Sequence, residues 1–227
     1  MINIYVVVEG NSEEKFINDI LSEYFANKSI FIQAEKVITG KNSVGKICKG
    51  GGNSYKYYKN HLQKRIKQFS KQKNFFFTTM IDYYAIPKDF PKLEESDKIT
   101  NIYDKIDFLE KSFYEDIGYE NFIPNIQLHE FETLCFADIE AIKEEFFDIN
   151  ISLDIIKKDI EKYDNIELIN KKNPPSKRLN IYTNGQYCQA KVSKSFKILK
   201  KIGVENIRQK CKHFNNWLKR IEGIANV

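Results

Sequence analysis

Four carboxylates stand out by position: Glu9, Asp82 and the pair Glu130 and Glu132. Each follows a run of β-branched and aromatic residues, 4–8 before Glu9, 75–81 before Asp82, and 122–128 before His129-Glu130-Phe131-Glu132. Such runs read as buried strands, so each acid stands at a strand's carboxyl tip. Acids gathered at one sheet edge repel one another unless a cation holds them. Carboxylate and water ligands suit Mg²⁺ or Mn²⁺, which in turn contact phosphate oxygens. One or two such ions can stabilise the attacking and leaving oxygens of a phosphodiester displacement. The competing reading is structural: acids at strand ends also start helices and form ion pairs.

The elements that must position these acids follow from the pattern. Gly10 permits a tight turn after the first strand, and Asn11-Ser12 open an amphipathic helix over 13–25. A second strand spans 31–38 and a helix 54–73, whose apolar stripe is Tyr55, Tyr58, Leu62, Ile66 and Phe69; its opposite face is basic with no acid. The third strand is 75–81, an amphipathic helix covers 97–116, the fourth strand is 122–128, and a helical turn covers 133–136. Strands alternating with helices give an α/β core with a parallel sheet flanked by helices, and in such sheets ligands gather outside the carboxyl ends. Residues 138–169 read as acidic short helices on an exposed face, and 193–223 as basic helices. The expected division is an α/β core over 1–137 and a helical, C-terminally basic extension over 138–227, packed on the core.

Composition narrows the function. Of 227 residues 42% are apolar, enough for a sizeable core, and no apolar run reaches membrane-spanning length. Glu9 and Glu13 interrupt any signal-peptide pattern, so a cytoplasmic protein without a membrane partner is expected. The four cysteines are scattered without a CxxC, which argues against zinc or a disulfide framework. The net charge of +5 is segregated: 15 basic and 8 acidic residues over 1–93, 7 and 21 over 94–167, 14 and 2 over 168–227. Basic flanks are the footprint of a polyphosphate partner, although 32 lysines against 4 arginines is also what an A/T-rich genome gives.

Candidate phosphate contacts are Lys41, Lys46 and Lys49 in the glycine-rich stretch 40–52, which is equally readable as an ordinary surface loop, together with Lys177, Arg178 and Lys191. Pro174-Pro175-Ser176 signals a helix start with Lys177 and Arg178 in its first turn. In a chain that prefers lysine, Arg178 suggests a need for fork geometry, toward a phosphate or toward the acidic segment. His129 is either an acid/base group or a packed strand-end histidine, while His61 and His213 read as solvated. Tyr83 and Tyr84 either stack on a base or fill the core.

Val8-Glu9-Gly10 followed by Asn11-Ser12-Glu13-Glu14 resembles the first motif of Toprim domains. With Thr79 to Tyr84, Ile126 to Glu132, Pro175 to Arg178 and Cys211 to Leu218, the chain looks like a member of the bacterial Toprim-like family known as domain of unknown function 4276. The resemblance implies a Toprim core and a Mg²⁺- or Mn²⁺-dependent nuclease subunit acting on DNA or RNA. It also implies an antiviral or mobile-element setting beside an ABC-type ATPase. Toprim catalysis ordinarily uses an Asp-x-Asp pair, and here the second aspartate is Tyr84. Either Glu130 or Glu132 replaces it, with Glu130 preferred, or metal binding is weakened or lost. On this reading Glu9, Asp82 and Glu130 are ligands, and Glu132 is a ligand or water-orienting base. His129 is an acid/base or supporting group, and Lys177 with Arg178 stabilises phosphate charge. The alternatives are a catalytically inactive regulatory or nucleic-acid-binding subunit that docks on an ATPase through its acidic helices, and a phosphatase or phosphotransferase on a smaller substrate. Homo-oligomerisation is left open.

Overall fold

The computed structural model describes residues 1–41, 47–51, 53–169 and 172–225. They fall into two compact units, Met1–Ile126 with Lys219–Val227, and Gln127–Leu218. The division thus comes before residue 137, and the end of the chain belongs to the first unit. No helix among the described residues is long and apolar enough to cross a membrane.

The first unit is built on strand β1 (Ile2–Val8), whose residues Ile4 to Val8 are all buried. Consecutive burial is the mark of a strand covered on both faces, and β1 is parallel to both neighbours. On one side it pairs with β2 (Ile30–Lys36), from Ile2↔Ile30 to Val8↔Lys36. On the other it pairs with β5 (Phe75–Asp82), from Asn3↔Phe75 to Val8↔Met80. The short β6 (Phe122–Ile123) extends the sheet beyond β5, and β7 (Ile126–Gln127) also pairs β5, giving five strands in all. This is the expected α/β core with a parallel sheet. Where one strand was expected over 122–128 there are two, because Asn125 leaves the ladder: its backbone N–H and carbonyl both bond the buried Thr79 hydroxyl, at 3.0 and 2.8 Å.

The helix after β1 runs as α1 (Asn11–Lys15), π-helical turns (Phe16–Leu21) and α2 (Ser22–Ala26). Asn18, within the wider turns, both donates to and accepts from the Ala34 backbone, at 3.3 and 2.7 Å. Its side-chain amide thereby acts as a one-residue neighbour for β2. The glycine-rich stretch expected to be a loop contains an antiparallel hairpin, β3 (Ile38–Lys41) with β4 (Ile47–Lys49). Helix α3 (Tyr55–Phe69) follows, with Tyr55, Tyr58 and Leu62 buried as expected. Next come α4 (Leu93–Ser96) and α5 (Ile102–Ile117). The latter starts later than the periodicity suggested because Asn101 caps it, accepting from Tyr103 N and Asp104 N. Tyr55, Phe90, Phe113 and Phe122 pack edge to face at 4.9–5.5 Å and tie α3 and α5 to the sheet.

His61 is not solvated, as its polar neighbours in sequence suggested, but 2% exposed. Its Nδ1 accepts from the Ile38 backbone N–H at 3.1 Å, which fixes the neutral tautomer with hydrogen on Nε2, 3.2 Å from the Tyr5 hydroxyl. Tyr5 donates to Glu35, which also receives Lys49 at 2.6 Å and Arg65 at 2.5 Å. Burial raises the Glu35 carboxyl, but the bonds from Lys49, Tyr5 and Arg65 outweigh it and hold the group at about 2. For His61 burial dominates and holds the ring at about 4.

The second unit opens with a 3-10 segment (Phe131–Ala137), then α6 (Ile139–Glu145), α7 (Leu153–Ile160), α8 (Pro175–Tyr182), α9 (Gln186–Gln189), α10 (Lys191–Ile202) and α11 (Val204–Lys210). Helix α12 (Lys212–Ile224) begins here and ends in the first unit. The acidic segment is not simply an exposed face. Ala141, Ile142, Phe146 and Ile156 are buried, and α6 faces the lysines of α10. Glu145 pairs with Lys194 and Lys197 at 3.1 and 3.4 Å, and Glu144 with Lys201 at 3.5 Å. Fully buried Glu167 caps α12 from a distance, accepting the His213 and Phe214 N–H groups at 2.8 and 3.0 Å. His213 at that helix start is itself buried, contrary to expectation, because this cap draws the first turn inward.

All four arginines are engaged inside the fold. Arg65 bonds Tyr5, Gln68 and Glu35, and Arg220 bonds Glu110 and the Pro124 carbonyl. Arg208 bonds Asn215 and pairs with Glu205, and Arg178 bonds Asp159, Tyr163 and the Asn173 carbonyl.

The network around Glu35 sets the acid response of the fold. A carboxyl held at about 2 contributes stability that is complete above its ordinary 4.5 and is lost as pH falls toward 2. A histidine held at about 4 instead of 6.5 leaves the unfolded chain binding the extra proton, so stability also falls as pH drops from 6.5 to 4. The thermal midpoint is expected to decline in these two overlapping stages. Ring ¹⁵N shifts of His61 should report protonation only near pH 4, and an inflection near 6.5 would mean that the ring is solvated.

Candidate functional site

In the first unit, the parallel register sets the candidate site. Val8 lies opposite Met80, so Glu9 leaves β1 beside the last residues of β5, where Asp82 ends the strand. Neighbouring strands are about 4.8 Å apart, so the two carboxylates start from adjacent tips of the sheet. A third acid joins them. Glu13 of α1 is 8% exposed, and its Oε2 would stand 2.7 Å from a Cβ added at Gly10. Glycine at position 10 therefore makes room for a carboxylate folded back over the strand tip. Tyr58 of α3 is 1% exposed. Burial pushes its hydroxyl well above the ordinary range, and the charges of Glu9, Asp82 and Glu13 push it further. Tyr58 thus stays protonated amid three carboxylates.

The rim of this edge is partly basic. Lys36, at the end of β2, donates to Asn11 Oδ1 at 2.5 Å and pairs with Glu14 at 3.7 Å. Gly50, after the hairpin, lies against the Glu9 backbone, where an added Cβ would be 3.0 Å from its carbonyl oxygen. Its φ of +85° also favours glycine. Of the lysines expected to face phosphate here, Lys49 is paired with Glu35. Lys41 ends β3, and its side chain, like the whole of Lys46, lies outside the described residues. Tyr83 and Tyr84 form a 3-10 turn after Asp82; Tyr83 is half-buried and Tyr84 is 43% exposed, so neither is core.

The remaining candidates belong to the second unit. His129 is half-buried with φ +58°, a left-handed conformation uncommon outside glycine that turns the chain sharply before Glu130. Glu130 is 8% exposed and accepts from the Ser176 N–H and hydroxyl at 2.8 and 3.1 Å. Burial raises its carboxyl despite those bonds. Glu132 is 1% exposed, accepts from Tyr187 at 3.0 Å and pairs with Lys191 at 2.6 Å. Together these bonds hold the start of α8, α9 and the start of α10 to the 3-10 segment. Arg178 is 4% exposed and makes the internal ion pair with the acidic segment, through Asp159, rather than presenting its fork outward. Lys177, its neighbour, is exposed.

The structure therefore brings Glu9 and Asp82 together and adds Glu13, which the strand-tip argument passed over. The sequence carried no signal for this, because α1 starts only at Asn11 and helical spacing does not reach back to Glu9. Oxygen donors of this kind fit a hard divalent cation. Among the described residues, no group of three or more His, Cys, Asp or Glu side chains is placed so that it could hold a metal ion.

Comparison with known proteins places the chain. No curated protein matches it. Among solved structures it is similar to the C-terminal region of the Burkholderia pseudomallei OLD protein, with 13% identity over 99% of both chains and a TM-score of 0.47. It is also similar to the C-terminal region of the Xanthomonas campestris pv. campestris OLD protein, with 11% identity over 98% of this chain and 93% of that one, at a TM-score of 0.45. A family model described as domain of unknown function matches residues 8–222, and the chain belongs to that family, DUF4276.

Proposed function

We propose that the chain is a Mg²⁺- or Mn²⁺-dependent nuclease subunit that hydrolyses phosphodiester bonds of nucleic acid. The observation that carries this reading is the parallel register that sets Glu9 and Asp82 at adjacent carboxyl ends of β1 and β5, with Glu13 folded back against Gly10. Acids brought to one sheet edge repel one another, and a divalent cation is one way to offset that repulsion. Mg²⁺ uses one or two carboxylates and keeps several waters, so a complete protein cage is not required. Bound there, the cation would supply charge neutralisation at a phosphate oxygen. The chain's own part is to orient these carboxylates. Gly10 leaves space for Glu13, and Tyr58 offers a hydroxyl that keeps its proton beside them. Exposed Lys177 is assigned to the phosphate backbone. Glu130 and Glu132 are assigned to holding α8, α9 and α10 through Ser176, Tyr187 and Lys191. The resemblance to Toprim nucleases adds the setting we propose, bacterial antiviral defence beside an ABC-type ATPase.

One observation favours a second reading, a regulatory subunit without catalysis. The residue two beyond Asp82, where Toprim enzymes carry a further aspartate, is the exposed Tyr84.

The two readings separate by experiment. Mn²⁺ or Mg²⁺ is expected to raise the thermal midpoint of the wild-type chain, since a ligand of the folded state stabilises by mass action. Glu9→Gln and Asp82→Asn should abolish that shift, because each removes a carboxylate assigned to the cation. Cleavage of labelled DNA or RNA should fall by more than about 100-fold in both, a larger loss than supporting residues of metal sites give. Cleavage that survives both substitutions sinks the assignment, and a wild-type midpoint indifferent to either cation with substrate left intact favours the regulatory reading. Gly10→Ala tests the site differently. The φ of −128° accepts alanine, so the midpoint should hold, but the new methyl must displace the Glu13 carboxylate and weaken the Mn²⁺-induced shift. An unchanged shift would remove Glu13 from the site.

A further inference from the structure

We propose that the outer face of α3 is a docking surface for the phosphate backbone of duplex DNA. The class of partner rests on the nucleic-acid reading above; the surface rests on α3 itself. Lys56, Asn60, Lys64 and Lys67 are exposed or nearly so and fall within about 80° of the helix circumference at 3.6 residues per turn. No acid interrupts α3, and among the described residues Lys56, Lys64 and Lys67 make no ion pair. Acids that do approach the helix are used elsewhere. Asp89 accepts from the Ser54 hydroxyl and the Tyr55 N–H at the helix start, Asp116 pairs with Lys59, and Glu35 pairs with Arg65. Exposed Lys71 and Lys73 continue the same sign past the end of the helix.

Like charges stacked along one helix face destabilise it modestly, so an uncompensated stripe is a standing cost that a polyanion relieves. From Lys56 to Lys67 the stripe covers about 17 Å of helix. One strand of duplex DNA presents roughly five phosphates over that length. Lysines are point charges on flexible stems, suited to phosphate and poor at reading bases. The three lysines and Asn60 include no aromatic ring on which an unpaired base could stack, which favours a duplex over a single strand. On the other lysine-rich helix, α10, Lys191, Lys194, Lys197 and Lys201 are paired with Glu132, Glu145 and Glu144, which leaves only Lys200 of that helix without an ion pair among the described residues. The opposite face of α3 is buried through Tyr55, Tyr58 and Leu62, which leaves the lysine face as the one open to a partner.

The test is duplex binding by the whole chain in EDTA, which separates it from metal chemistry. Anisotropy of a labelled duplex of about 24 bp, read between roughly 50 and 200 mM salt, gives the slope of log affinity against log salt. The triple substitution Lys56→Ala, Lys64→Ala and Lys67→Ala should lower the magnitude of that slope by about 2.7 and weaken binding at the lowest salt at least about tenfold. The double substitution Lys194→Ala and Lys197→Ala should leave the slope near the wild-type value. Unchanged far-ultraviolet dichroism and thermal midpoint show that the triple variant is folded. A triple variant with the wild-type slope overturns the proposal, as does tighter wild-type binding to single-stranded DNA or duplex RNA, or no wild-type binding to duplex DNA. Lysine-dependent binding without metal-dependent cleavage supports the surface and counts only against the nuclease assignment.

Discussion

Parallel hydrogen bonding of β1 to both β2 and β5 delivers all three strand ends to one edge of the sheet. In an antiparallel pair, residues that follow neighbouring strands part to opposite edges; in a parallel one they meet. Once Glu9 and Asp82 each follow such a strand, their proximity is dictated by the ladder and needs no further contact to create it. The ladder is secure because its residues are apolar and covered on both sides, with Val6, Val7, Val8, Phe77 and Met80 all without exposure. The repulsion at the edge is thus set against a well-packed interior. Gly10, Glu13 and Tyr58 are the local adjustments that let the acids coexist.

Elements whose identity rests on short-range pattern were legible in the sequence. The buried runs of β1 and β5 and the apolar stripes of α3 and α5 needed only periodicity, and Pro175 announced α8 through its fixed φ and missing donor. The β3–β4 hairpin was not legible, because strands of four and three residues carry little pattern and the glycines around them also describe a loop. His61 was misread for a related reason. It falls between Asn60 and Leu62 on a helix with a basic outer face, and nothing in the sequence tells that the Ile38 N–H and the Tyr5 hydroxyl wait for it. At the candidate site, the sequence put Glu9 and Asp82 each at a strand tip, but that β1 and β5 are neighbours is seen only in the ladder, and the burial of Glu13 depends on the path of the chain at Gly10.

Charge shows the same gap between sequence and space. Along the chain the basic and acidic blocks are separate, which invites each to be read as a surface for some partner. In the second unit the blocks answer one another, with Glu144 and Glu145 of α6 meeting lysines of α10, and Asp159 meeting Arg178. Segregation in sequence is here the raw material of pairing between helices. On the outer face of α3, where Lys56, Lys64 and Lys67 make no ion pair among the described residues, the basic block remains a basic surface.

The arginines carry a consequence for how this chain can vary. Each of the four reaches at least two acceptors within its own unit. A lysine there has three donors on a single atom and cannot span acceptors set apart by the width of a guanidinium. In the genetic code the arginine codons AGA and AGG are one purine transition from lysine codons, so an arginine encoded that way would lie a single base from losing its fork. Residue type thus sorts cations by geometry: arginine where separated acceptors must be spanned, lysine where a point charge meets a carboxylate, as on α10, or water.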